Sequence, residues 1–150
     1  MFSKTCEYGI RAVIYISATG TPENKIGIAD ISTNIEAPVH FTAKILQPLV
    51  HADIISSKKG VNGGFYMYPK QKLRTLIEVV RAIDGDMLFS GCGMGLKKCS
   101  DEEPCPMHDK FKAIRNSLKA MMEQTTVDDM AIMLKNGRTF LRKEELQPHE

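Results

Sequence analysis

Three cysteines and a histidine fall in one short stretch of the chain, Cys92-x6-Cys99-x5-Cys105-x2-His108. Thiolates are soft donors, suited to iron–sulfur clusters, zinc or copper(I). Glycines at positions 91, 93 and 95 let the backbone curl around a bulky centre. A flexible glycine loop is a poor place to bury three unrelated thiols, which argues against plain core cysteines. Structural zinc usually takes shorter gaps such as Cys-x2-Cys, so the spacing favours a cluster and leaves zinc as the alternative. His108 is a further nitrogen donor at the edge of the group. Cys6, the fourth cysteine, stands alone.

A second group has the chemistry of nucleic-acid contact. Val39, His40, Phe41, Ala43 and Lys44 open a helix that follows another short helix, and Lys58 and Lys59 sit at the tip of a hairpin. In a helix-turn-helix the second helix enters the major groove, and side chains near its start reach base edges. Lysines on a wing reach phosphate or the minor groove. Other groupings fail. Gly60-x-x-Gly63-Gly64 precedes a strand-like run and has no Lys-Ser/Thr opening a helix, so it is no phosphate loop. No Ser/His/Asp set or carboxylate pair has catalytic spacing, and the chain does not read as an enzyme. Met121, Met122, Met130 and Met133 recur at helical spacing and read as core or interface filler.

The elements that must position these residues follow from periodicity. Cys6, Ile10, Val13, Ile14 and Ser17 predict a helix over 5–18 in which Gly9 is a modest penalty. Ile28, Ile31 and Ile35 mark a helix over 28–36, ended by Ala37-Pro38. A third helix runs over 38–50 on Phe41, Ile45 and Leu49, with a kink or break expected near Gln47 because Pro48 removes a hydrogen bond. Strands follow at 53–57 and 64–68, reversed at Asn62-Gly63. Leu76, Val80 and Ile83 give a helix that Asp84-Gly85 closes. Residues 86–106 have no period and form the cysteine loop. A long helix over 107–124 carries Phe111, Ile114, Leu118 and Met121 on one face. A last helix starts after Thr125 or Thr126, capped by Asp128 or Asp129, and stops at Asn136-Gly137.

The fold class is therefore mainly α with a small β-hairpin, a winged helix-turn-helix plus a long helix. Residues 1–85 form the winged-helix DNA-binding unit, 86–106 the cysteine loop, 107–135 the expected dimerisation helices, and 136–150 a loose charged tail. The 150 residues are 43% hydrophobic, enough for one core. The net charge of +2 is too small to announce a nucleic-acid binder by itself. No stretch is apolar for long enough to span a membrane. Met1-Phe2-Ser3-Lys4 lacks the layout of a signal peptide, so a cytoplasmic protein is expected, and its cysteines form no disulfide framework.

Five segments in order resemble the bacterial iron–sulfur winged-helix transcription regulators that include IscR and NsrR. They are Phe2–Ala12, Ile28–Ser32, the wing Lys59–Phe65 with its double glycine and aromatic, Leu76–Gly85, and the three cysteines. The resemblance spans roughly residues 1–135. It implies a homodimer on double-stranded DNA in which long helices pack together, so Phe111, Ile114, Leu118 and Met121 become the expected dimer contact. It implies a regulator, a repressor in the expected sense, that senses redox state, nitric oxide or cluster supply through Cys92, Cys99 and Cys105. The fourth ligand is either Glu7 of the partner chain, as in NsrR-like members, or His108, as in IscR-like members; Glu7 is the favoured expectation. The gap between the first two cysteines is one residue longer than in IscR-like members, which leaves the centre open between 2Fe-2S and 4Fe-4S. Ala43 offers no polar group for base readout, so the operator does not carry over.

Overall fold

The computed structural model describes residues 1–142. The element order is α1 (Lys4–Thr19), α2 (Ile28–Ile35), α3 (Val39–His51), β1 (Ser56–Lys58), β2 (Gly64–Tyr66), α4 (Pro69–Lys72), α5 (Leu76–Asp84), α6 (Met87–Ser90), α7 (His108–Gln124) and α8 (Val127–Lys135). This is the expected winged helix-turn-helix with a long helix behind it.

Helix α1 is the hub. Ser3 caps it by accepting the Cys6 N–H at 3.0 Å, and Asp84 at the far end of α5 accepts the Ser3 N–H at 2.9 Å. Residues on several sides of α1 are buried, among them Cys6, Gly9, Ala12, Val13, Ile16 and Ser17, because α2, α3, α5 and α8 all pack on it. Gly9 has a steric reason: a Cβ there would collide with the Ile83 Cδ1 methyl of α5. Its helix penalty is the cost of close approach between α1 and α5.

The helix-turn-helix closes through Glu36, which takes a left-handed φ of 56° and donates its N–H to the Ser32 and Thr33 carbonyls. Arg11 of α1 caps the same helix end by donating to the Ile35 carbonyl at 3.0 Å. Between the helices the buried Ser32 hydroxyl donates to Thr42 Oγ1 at 2.9 Å, and Thr42 donates on to the Pro38 carbonyl at 3.0 Å. Of the kink or break expected near Gln47, the break does not occur: α3 continues through Pro48 to His51. Proline costs the bond to the carbonyl four residues back, that of Lys44. Leu46 and Leu49, on either side of Pro48, are buried in the core and hold the helix in place.

The hairpin is shorter than predicted. It pairs Ser56 with Tyr66, Ser57 with Phe65 and Lys58 with Gly64. Asp53, expected in the first strand, instead takes φ 56° and bonds the Val50 carbonyl, so 53–55 are the exit from α3. Ile26 adds an isolated bridge to β2, a further rung, by exchanging two 2.8 Å bonds with Phe65. That rung requires the double glycine, since a Cβ on Gly64 would lie 2.7 Å from the Ile26 carbonyl oxygen.

Helices α5 and α8 start side by side. Thr75 and Thr126 form an antiparallel bridge, with Leu76 N–H to the Thr125 carbonyl and Val127 N–H to the Arg74 carbonyl, both 2.8 Å. Each helix opens with a capping box, Thr75 with Glu78 and Thr126 with Asp129. Helix α8 then packs along α1, burying Val127 and Ala131. Helix α8 thus packs on the winged-helix body, while α7 crosses to the cysteine loop. Its inner face joins a second core of Cys6, Leu76, Ile77, Val80, Phe89 and Met122, with Leu118 half-buried against it. Of the expected loose tail, residues 143–150 lie outside the described residues. Among the described residues no helix is long and apolar enough to cross a membrane.

Candidate metal centre and nucleic-acid interface

The cysteine loop is bound to one face of α7. His108, Phe111, Lys112 and Arg115 sit at spacings of three and four, so they share that face. His108 is 5% exposed, and its Nδ1 lies 3.5 Å from Cys99 Sγ. Its Nε2 is 2.8 Å from Asp101 Oδ1, which also accepts Lys112 Nζ at 2.6 Å. The Lys112 and His108 bonds hold the Asp101 carboxyl below the ordinary carboxylate range. The Phe111 ring lies where a Cβ on Gly93 would be, within 2.7 Å of that position, so only glycine fits there. Arg115 donates from Nη1 to the Gly91 carbonyl at 2.7 Å.

The other two thiols form a second pair. Cys92 Sγ and Cys105 Sγ are 3.9 Å apart. Hydrogen bonding from the Met94 and Leu96 backbone outweighs partial burial, with smaller contributions from the Cys105 thiol and the Gly95 backbone, and lowers the Cys92 pKa. N–H donors aimed at a sulfur favour its thiolate form, the form that ligates metals. All three loop cysteines are half-buried. Among the described residues no three His, Cys, Asp or Glu donors converge on the position of one metal ion. The donors come instead as two pairs.

Cys6 is a different kind of thiol. It is wholly buried, and burial followed by the charge of Asp84 pushes it up to about 12. It stays protonated at neutral pH and acts as a core residue. Glu7, beside it, is half-buried and pairs with Lys4 at 3.2 Å. Within one chain, His108 is the residue brought to the cysteines.

The face expected to hold the dimer divides in two. Phe111 and Leu118 turn inward, to the loop and to the second core. Ile114 and Met121 turn outward, 69% and 48% exposed, and Met107 extends the same line. The outer line therefore repeats every seven residues, the spacing of a helix seam.

On the helix-turn-helix, Val39, His40 and Lys44 are exposed at the start of α3, and Ala43 is half-buried. Phe41 is half-buried and packs edge-on against Tyr8, with ring centroids 6.1 Å apart. Lys58 and Lys59 are exposed at the wing tip. Sequence reasoning missed Gln71, a buried side chain that holds the wing. It accepts from the Tyr68 N–H at 2.8 Å and donates to Asp53 Oδ1 at 3.1 Å and Ser56 Oγ at 3.0 Å. In the run Pro69-Lys70-Gln71-Lys72 nothing marks it apart from a solvated turn. It also missed Arg115 and the Asp101 backing of His108, although the spacing of Arg115 from His108 places both on one helical face.

Comparison with known proteins agrees with this architecture. Residues 2–132 match the family described as Rrf2, iron-dependent transcriptional regulator. The chain is similar to BadM of Rhodopseudomonas palustris, named as a helix-turn-helix transcriptional regulator, at 27% identity over 150 residues, covering 97% of this chain and 88% of that one. The structure of CymR, titled the global cysteine regulator of B. subtilis, superposes with a TM-score of 0.73 at 23% identity, covering 88% of this chain and 96% of that one. T. potens IscR superposes with a TM-score of 0.69 at 16% identity, covering 93% and 91%. At those identities the superpositions speak to the fold.

Proposed function

The chain belongs to the Rrf2 family of transcriptional regulators, and from that premise we propose that it is a dimeric, DNA-binding sensor whose iron–sulfur cluster is held by Cys92, Cys99, Cys105 and His108. The observation that carries this reading is the pairing of the donors. Two sulfurs on one tetrahedral metal, with bonds of about 2.3 Å, lie about 3.8 Å apart, and a sulfur and an imidazole nitrogen lie about 3.5 Å apart. Cys92 and Cys105 are 3.9 Å apart, and Cys99 and His108 are 3.5 Å apart. Each pair suits one metal atom, so two pairs suit a two-iron centre better than a single zinc. The Asp101 carboxylate behind His108 is the usual partner of a metal-binding imidazole, fixing its tautomer and turning the other nitrogen to the metal.

When bound there, such a cluster supplies iron that reacts with oxidants or nitric oxide and exchanges electrons at a potential set by its surroundings. The residues of the chain do the rest. The backbone of Met94, Leu96 and Gly95 favours the thiolate form of Cys92, Asp101 orients the His108 ring through Nε2, and α7 carries the loop's position into the second core. Val39, His40 and Lys44 face the major groove, and Lys58 and Lys59 reach the backbone or minor groove. Ile114 and Met121 line the contact with a second copy.

The test is an anaerobic spectrum with iron and sulfide content for wild type, His108→Ala and Glu7→Ala. Visible absorption in wild type, altered or lost in His108→Ala and kept in Glu7→Ala, is expected. The reverse pattern gives the fourth position to Glu7 of the partner chain. A colourless protein with stoichiometric zinc overturns the sensor reading.

A further inference from the structure

Arg115 sits on α7 seven residues beyond His108, on the loop-facing side. Its Nη1 donates to the carbonyl of Gly91, the residue before Cys92, at 2.7 Å. Its Nε is sealed from solvent and has no hydrogen-bond partner among the described residues. Nor does any carboxylate of the described residues lie within ion-pair distance of its guanidinium. This is an unusual state for an arginine. The side chain normally lays its stem on the protein and keeps its head in water. A buried N–H of a charged group left without an acceptor costs free energy, more than a neutral one. An anion beside the Gly91–Cys92 peptide would satisfy it.

Resting on the reading of the loop as a cluster site, we propose that Arg115 is a positioning residue of the metal centre: it anchors the loop at Gly91 and supplies the cationic N–H donor that balances the thiolate-held centre. Three thiolates leave such a centre with net negative charge, and the guanidinium is the cation that the fold places next to the first of them. Lys112, the other cation on this face, is already bound to Asp101. Charge and hydrogen bonds near the sulfurs set the reduction potential. A cation stabilises the added electron, so Arg115 raises the potential and slows loss of iron.

Anaerobically purified wild type, Arg115→Met and Arg115→Lys distinguish these roles. Their midpoint potentials come from a dye-mediated titration followed in the visible, and their iron retention from timed exposure to a chelator. Arg115→Met is expected to titrate at a more negative potential and to lose iron about 10-fold faster, the usual scale for a partner behind the ligands. Arg115→Lys keeps the charge and loses the fork, so its potential should stay near wild type while its iron loss still quickens. A wild-type cluster with an unchanged potential in Arg115→Met overturns the inference alone, as does faster iron loss in both variants without any change of potential. A wild type that takes up no iron removes the cluster reading, and this inference with it.

Discussion

The angle between α2 and α3 rests on a buried polar pair, and removing half of it should be worse than removing both halves. Ser32 and Thr42 are 3% and 0% exposed, and their hydroxyls are 2.9 Å apart. Thr42→Val keeps the shape and takes away the acceptor. The Ser32 hydroxyl is then buried without a partner, at a cost of about 1–3 kcal/mol. The Pro38 carbonyl is not orphaned, because it also accepts the backbone N–H groups of Phe41 and Thr42 at 3.1 and 2.9 Å. The penalty therefore comes from Ser32 alone, and Ser32→Ala together with Thr42→Val should recover most of it. Urea unfolding of wild type, both single variants and the double variant gives the coupling energy directly. A Thr42→Val curve that overlays wild type would mean that Ser32 turns back to a carbonyl of its own helix, and simple addition of the two single losses would mean that the pair is not coupled. Either result refutes the claim that this bond fixes the two helices.

Three further outcomes follow from the geometry. Partial burial alone would raise the Glu78 carboxyl, but the Thr75 N–H, Arg74 and the Thr75 hydroxyl outweigh it and hold its pKa below the ordinary value. The stability it adds is present above its unfolded value and is lost as pH falls through the folded one, so thermal stability should decline below about pH 4–5, less steeply in Glu78→Gln. Lys58→Ala with Lys59→Ala should weaken DNA binding and reduce the slope of log K against log salt by up to about 0.9 for each phosphate that the wing no longer neutralises; an unchanged slope removes the wing from the DNA interface. Ile114→Glu should give a folded monomer in sedimentation, whereas Leu118→Glu, aimed at the second core, should lower the melting temperature; a dimer that survives Ile114→Glu places the interface elsewhere.

The residues that announced the architecture were those with a local cause. Asn62, Gly60 and Gly64 of the wing needed positive φ, Gly85 and Gly137 ended helices in the same region, and Asp129 capped α8 as its position after Thr126 implies. The apolar periods gave each long helix within a few residues. What the sequence hid depends on partners distant in the chain. Pro48 reads as a breaker because local rules do not see that Leu46 and Leu49, on either side of it, are buried in the core. Ile26 is isolated in the sequence and joins the wing only because Phe65 lies opposite. Phe111, Ile114, Leu118 and Met121 looked like one stripe because spacings of three and four span a wide arc, and that arc meets the loop and core on one side and solvent on the other. For the metal centre, the three cysteines were legible from type and spacing. His108 was a candidate from proximity, but Asp101 behind it and Arg115 beside Gly91 needed the loop folded onto α7.

Helix α7 joins the two parts of the proposed switch. At its start, His108, Phe111, Lys112 and Arg115 meet the loop at Cys99, Gly93, Asp101 and Gly91. Further on, Leu118 and Met122 enter the core that contains Cys6 of α1 and Val80 of α5. At its end, Thr125 bonds Leu76 at the start of α5, and Val127, the first residue of α8, bonds the Arg74 carbonyl. The outer residues Ile114 and Met121 lie between these points. A rigid helix displaced at one end must move against a close-packed core or against the second copy, and packed cores and interfaces change by steps more readily than by degrees. In the proposed dimer, release of His108 from the proposed centre would thus reach the spacing of the two helix-turn-helix units without any residue of the loop approaching DNA. The loop needs to bias only which of two arrangements of α7 is favoured, so its energetic effect on DNA binding is limited to the difference in its interactions between them.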